Sequence, residues 1–211
     1  ANTLSGVEST VVAAAISGGS DIESIASLRE RIIESRENGK DVGRTSDWAR
    51  WAREVPGVSR AWAVPKLGGL GTITVYFMRD GDTNPYPDEA AQQVVQQHLE
   101  RTGLPFGEII ATAPKKRMLN PQIQLKPDTP ENRQAVAASL SALLMRNATP
   151  VKYESDGYVT QPVAGVTLPR THIAEAISTA PGEYDHVLQE PATDVLCNVG
   201  ELLELGEITW L

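Results

Sequence analysis

Residues 48–63 read WARWAREVPGVSRAWA, and residues 173–188 read IAEAISTAPGEYDHVL. In each stretch apolar residues recur at helical spacing, a Pro-Gly pair follows, and a strand-like run begins at once. Trp48, Trp51 and Val55 match Ile173, Ala176 and Ala180, Pro56-Gly57 matches Pro181-Gly182, and Trp62-Ala63 matches Val187-Leu188. The offset is constant, 181 − 56 = 125 residues. Proline cannot continue a helix and glycine permits a reversal, so each strand is set to fold back onto its helix. Helix, Pro-Gly and strand is also a common join, so chance and duplication both account for the match at this level. A longer amphipathic segment precedes each motif, at 21–37 and 129–147. The pattern predicts an α+β protein of two small units, each with helices packed on a short mixed or antiparallel sheet. Residues 1–20 read as a linker or the end of a preceding domain, 21–106 as a central α+β domain, and 107–211 as a C-terminal α+β domain.

Upstream, Ser20 and Glu23 stand at capping-box spacing, and Ile22, Ile25, Leu28 and Ile32 recur at helical spacing. Ser46 and Asp47 open a shorter helix. Runs 58–64 and 72–78, separated by Gly68, Gly69 and Gly71, read as a β-hairpin. Pro87 and Asp88 start a helix that Gly103 ends. Runs 109–113 and 122–126 read as strands. Thr129 is the expected N-cap of the next helix, with Pro130 at its first position and Val136, Leu140, Leu143 and Leu144 as its buried stripe. A last helix at 171–179 and strand-like pieces at 184–188 and 207–211 complete the reading. Segments 37–45 and 149–169 are candidate linkers about which the units rotate.

The 211 residues are 41% hydrophobic, enough for one large or two small domains with cores. No stretch approaches the roughly 18 apolar residues of a membrane span. A start at Ala1 reads as a processed or cut chain. The net charge of −8 and pI near 4.9 argue against a general phosphate-backbone binder. Neither nucleic acid nor membrane is an expected partner. A single cysteine, Cys197, excludes intrachain disulfides and reads as a small buried residue.

The sequence carries no catalytic, metal or cofactor motif, so an enzyme is not expected. Asp80, Asp82 and Asn84 fit the first half of a calcium loop, but Pro85 stands where the turn glycine belongs and Ala91 where a bidentate Glu belongs. His98, His172 and His186 lie far apart, outside any metal-binding spacing. Gly68 to Gly71 lead into a strand, so no helix N-terminus is available for a phosphate. Two groups remain as candidate interface residues. Lys115, Lys116 and Arg117 form the dense basic run, read as a solvated strand end or as a contact for an acidic neighbour. Trp48, Trp51 and Trp62 read as core packing or as interface anchors.

The order of the short motifs carries a resemblance. Ser17-Gly18-Gly19-Ser20-Asp21-Ile22-Glu23-Ser24, then Leu28-Arg29-Glu30-Arg31, is followed by Val55-Pro56-Gly57-Val58, Ala61-Trp62 and Gly69-Leu70-Gly71-Thr72-Ile73-Thr74-Val75. Near the end stand Pro191 to Asp194 and Glu201-Leu202-Leu203-Glu204-Leu205-Gly206. From about Gly18 to Trp210 this resembles the baseplate J-like family of Mu-type phage tail baseplate wedge proteins, over roughly its C-terminal two-thirds. It departs at Pro181-Gly182-Glu183, where the family has Gly-Val, and a charge there suggests a more exposed turn. The resemblance implies a non-enzymatic structural component of a contractile phage or prophage tail. Such parts form wedges that join into a ring around the central hub. The implied partners are other baseplate and tail proteins and itself, as a dimer or higher oligomer. The implied location is the virion tail, with the host bacterial cytoplasm during assembly. A stand-alone protein-binding adaptor module is the alternative.

Overall fold

The computed structural model describes residues 43–103, 107–154 and 157–211, together with Ile25, Leu28, Arg29, Ile32 and Ile33. The chain divides into two compact units, 1–40 and 41–211. In the first, those five residues are helical, where the spacing predicts helix. The Ser17–Ser24 motif and most of segment 37–45 lie outside the described residues.

The elements of the second unit are α1 (Thr45–Arg53), β1 (Arg60–Pro65), β2 (Thr72–Met78), α2 (Glu89–Thr102) and β3 (Glu108–Thr112), then β4 (Lys115–Leu119), β5 (Gln122–Lys126), α3 (Pro130–Arg146) and β6 (Thr167–Leu168). They end with α4 (Arg170–Ser178), β7 (Asp185–Glu190), β8 (Val195–Leu196), β9 (Glu201–Leu205) and β10 (Thr209–Trp210). Local chemistry starts the helices where expected. Asp88 accepts from the Ala91 N–H at 2.8 Å, and Thr129 from the Asn132 N–H at 3.2 Å, each satisfying a donor the helix cannot. Val136, Leu140, Leu143 and Leu144 are the buried stripe of α3.

Two cores form, each a three-stranded sheet with helices on one face. In the first, Trp48, Trp51 and Ala52 of α1 and Val95 and Leu99 of α2 pack on Ala63, Val75, Phe77 and Ala111. Strand β3 therefore belongs to the first sheet, parallel to β2. In the second, Val136, Leu140 and Leu144 of α3 and Ile173 and Ile177 of α4 pack on Ile123, Leu125 and Leu188.

The Pro-Gly motif folds the same way twice. Strands β1 and β7 have bounds 125 residues apart at both ends, 60 to 185 and 65 to 190. The Val55 N–H donates to Ala52 O at 3.2 Å, and the Ala180 N–H to Ile177 O at 3.0 Å. Gly57 and Gly182 turn with φ of +91° and +85°, a region open mainly to glycine. Both sheets pair an edge strand antiparallel to a central strand, which runs parallel to a third: β1-β2-β3 and β7-β5-β10. Ala63 opposite Val75 corresponds to Leu188 opposite Ile123. Chain order differs, since β2 follows β1 whereas β5 precedes β7.

Three features differ from expectation. Lys115–Leu119 and Glu201–Leu205 form a parallel two-stranded ladder, where no strand pair was predicted. Neither run alternates cleanly, so periodicity did not reveal it. The turn at Pro181-Gly182 is exposed, but the Glu183 side chain is buried and lies 2.9 Å from His186 Nδ1. Segment 149–169 is no free linker. Val151 and Val159 are buried against Val64 and Tyr76 on the face of the first sheet opposite its helices. The Lys152 N–H donates to Ala164 O at 2.9 Å and the Thr160 N–H to Lys152 O at 3.1 Å, which makes a strap. Pro150, Gly157 and Pro162 mark its bends, while Val151 and Val159 cover a sheet face.

Candidate assembly interface

Trp48 and Trp51 are 5% and 4% exposed. Their rings meet edge-on at 5.0 Å, and the Trp48 Nε1–H donates to Gly43 O at 3.2 Å. A Cβ on Gly103, after α2, would stand 2.2 Å from the Trp48 ring, so glycine lets the helix end close over it. Both indoles act inside the first core, and the folded unit presents neither to a neighbour. Trp62 lies on the other face of β1, half-buried beside the strap, with the Arg60 guanidinium 5.4 Å from its ring centre. Of the three indoles it is the one a neighbour can reach.

Two of the three residues in the basic run pair within the chain. Lys116 pairs with Glu204, and Arg117 Nη1 stands 3.5 Å from Glu201, both acids lying on the adjacent strand β9. Parallel register sets Lys115 beside Glu201, and the two ion pairs run diagonally across the ladder, each two residues off register. Within the chain, the acidic partners of Lys116 and Arg117 are on β9. Lys115 is exposed.

The rejected sites also find ordinary partners. Asp80 accepts a bidentate pair of bonds from Arg60 at 2.6 and 2.7 Å and one from Ser59 at 2.6 Å, and these hold its carboxyl below the usual range. Asp82 pairs with Arg79, and Asn84 accepts from the Tyr86 N–H at 3.2 Å. His98 lies 3.4 Å from Glu54, and His172 lines a groove between α3 and α4. Among the described residues no group of three His, Cys, Asp or Glu side chains converges as a metal site. Cys197 is half-buried, and burial pushes its thiol pKa up.

Sequence reading missed Tyr86 and Glu204. They line a cavity of about 230 Å³ between the two cores, with Arg60 and Met78 on one wall and Leu144 and Met145 on the other. Burial first, and then Glu204, push the Tyr86 hydroxyl pKa upward. No sequence spacing joins residues from β1, the loop after β2, α3 and β9.

Two family models match in succession: the Baseplate J-like central domain over residues 40–116 and the Baseplate J-like protein C-terminal domain over 119–211. Protein JayE of Escherichia coli K12 is 34% identical over 98% of this chain, which spans 74% of that protein. The Mu-like prophage FluMu protein gp47 of Haemophilus influenzae is 32% identical over 100% of the chain, and Baseplate protein gp47 of Escherichia phage Mu is 31% identical over 97%. The chain spans 58% and 56% of those two, little more than half of each. With both models in order across the second unit and relatives aligned over nearly its whole length, the chain belongs to the Baseplate J-like family.

Proposed function

We propose that this chain is a structural component of a contractile, Mu-like phage or prophage tail baseplate, where it forms wedges that join into the ring around the central hub. The observation that carries the reading is the 31% identity to Baseplate protein gp47 of phage Mu across 97% of the chain. Its partners are other baseplate and tail proteins and further copies of itself, as a dimer or higher oligomer. It resides in the tail baseplate, and in the host bacterial cytoplasm during assembly. The two cores correspond to the family's central and C-terminal domains. The surface a neighbour meets includes Trp62 and the exposed side of β4 at Lys115, while Trp48 and Trp51 support it from within.

Co-expression of the full-length protein with its neighbouring tail proteins tests this. Co-purification as a complex whose light-scattering mass exceeds that of any single chain is expected. A full-length protein that stays monomeric beside every tail protein, in particles that still assemble complete baseplates without it, overturns the reading.

A further inference from the structure

Strands β4 and β5 follow one another through Asn120-Pro121, and β9 and β10 run beside them in parallel. Backbone bonds fix which edge faces which neighbour. The carbonyls of Leu119, Pro121 and Ile123 accept from the N–H groups of Gly206, Thr209 and Leu211, so odd-numbered positions face β9 and β10. Even-numbered positions face the opposite edge, because backbone groups alternate along a strand. Beside β5 that edge is taken by β7, with Gln122 opposite Glu190. Beside β4 no strand of the described residues runs there, and β4 pairs with β9 only. The N–H and C=O groups of Lys116 and Met118 therefore point outward from the ladder.

Beyond Glu190 the chain turns away from β4 and is fastened there. Arg170 Nε donates to Pro191 O at 3.0 Å, and the Arg170 N–H donates to Asp194 at 2.8 Å. An open groove of about 540 Å³ is left, with residues 117–120 on one wall and 190–196 on the other. Consecutive residues of β4 line it although their side chains alternate between faces, so the groove runs along the strand's edge. Met118 and Leu196, on opposite walls, are 46% and 66% exposed.

We propose that this groove takes an extended segment of another protein chain, which pairs with β4 as a third strand in line with β7. Charge decides its kind. Lys116 and Arg117 have acids on β9, whereas Glu201 beside Lys115 is held by Asn198 and Arg117, which leaves Lys115 to a partner. A second copy paired through β4 would set Lys115 to Arg117 against the same cations, and like charges on adjacent strands repel. The occupant is therefore acidic where it passes Lys115 and apolar where it meets Met118 and Leu196. The acids of the far wall, Glu190 and Asp194, are tied to the N–H groups of Ala192 and Arg170. The proposal rests on the assembly reading for the source of the strand, while the pairing itself can be tested alone.

Amide exchange in the full chain, resolved residue by residue, tests the pairing with an eight-residue peptide of alternating Glu and Val at low salt. At saturating peptide the Lys116 and Met118 N–H groups are expected to exchange about tenfold more slowly. A peptide of alternating Lys and Val is expected to bind roughly twofold to fivefold more weakly, and Lys115→Glu to reverse that order. Met118→Pro removes the outward N–H and none of the bonds to β9, so it is expected to melt like the unaltered protein and to lose the peptide. Should Met118→Pro unfold, Lys115→Glu decides. No protection at Lys116 and Met118, or equal binding of the two peptides, overturns the proposal. In a complex with tail proteins the same two amides are expected to be protected. A complex that forms while both exchange freely overturns the edge pairing and leaves the baseplate assignment standing; peptide protection without any such complex does the reverse.

Discussion

The side-chain amide of Gln96 takes the place of a neighbouring strand at Ala111: its Oε1 accepts from the Ala111 N–H at 2.7 Å. Its Nε2 donates to Ile109 O, also at 2.7 Å. One side chain of α2 thus occupies a donor and an acceptor on the free edge of β3. The second sheet has a counterpart, since Arg170 Nη2 donates to Leu188 O at 2.5 Å on edge strand β7. Exposed edges invite pairing with other chains, and both sheets are blunted by side chains from their own helices. Replacing Gln96 with Leu keeps the bulk and removes both edge bonds, together with the one its Nε2 gives Glu100. A loss of about 1–2 kcal/mol in chemical denaturation is expected, with more concentration-dependent association by light scattering.

The paired Pro-Gly turns make a matched experiment. Alanine at Gly57 or Gly182 must adopt a positive φ, which costs about 1–2 kcal/mol whatever the surroundings. At Gly57 the new Cβ meets the far end of Arg79, a flexible side chain that can move. At Gly182 it meets Asn132 Oδ1 at 2.3 Å, and Asn132 Nδ2 is bonded to both Gly182 O and Pro127 O. Gly182→Ala is therefore expected to be the more destabilising of the two in thermal melts.

Tryptophan replacements should separate core from surface. Trp51→Ala empties space in the first core, and a loss of about 3–5 kcal/mol is expected in equilibrium unfolding. Trp62→Ala removes a half-buried ring and should cost clearly less. If Trp62 meets a neighbour, its loss lowers yield in the co-purification assay while the melt is little changed.

Acid sensitivity should trace in part to Asp80. Hydrogen bonds from Arg60 and Ser59 and the charge of Arg60 outweigh desolvation and depress its folded-state pKa below 3.8. A depressed carboxyl contributes stability that is present above the unfolded pKa and lost as pH falls through the folded one. Denaturation midpoints should therefore fall as pH drops below about 4, and Asp80→Asn should flatten that limb.

The strap gives the alkaline counterpart. Burial pushes the Tyr153 hydroxyl pKa to about 12, above its ordinary 10. A raised pKa means that this contribution is full below the unfolded value and is lost as pH rises through the folded one. Stability should decline between pH 10 and 12, and Tyr153→Phe should remove part of that decline. Ultraviolet titration of the tyrosinate band alongside hydrogen exchange in 151–163 would follow both events.

Much of the fold was legible because it is local. The Thr129-Pro130 start, the α3 stripe, the glycine-rich hairpin and the Pro-Gly turns each depend on neighbours in sequence. The interface residues were less legible, because helical spacing places Trp48 and Trp51 on an apolar face without saying whether protein or solvent lies beyond it. Likewise Lys115 to Arg117 announce charge, but Glu201 and Glu204, some 80 residues away, decide where that charge is spent.

By itself the sequence determined the two α+β units, the repeated helix–Pro-Gly–strand join and the family, since each is written in short-range spacing or in the order of short motifs. The tertiary structure alone decided that segment 149–169 is a strap, that β4 and β9 pair in parallel, and that Tyr86 faces Glu204 across a cavity. Those contacts join residues tens of positions apart, where burial and long-range pairing replace local propensity as the deciding terms.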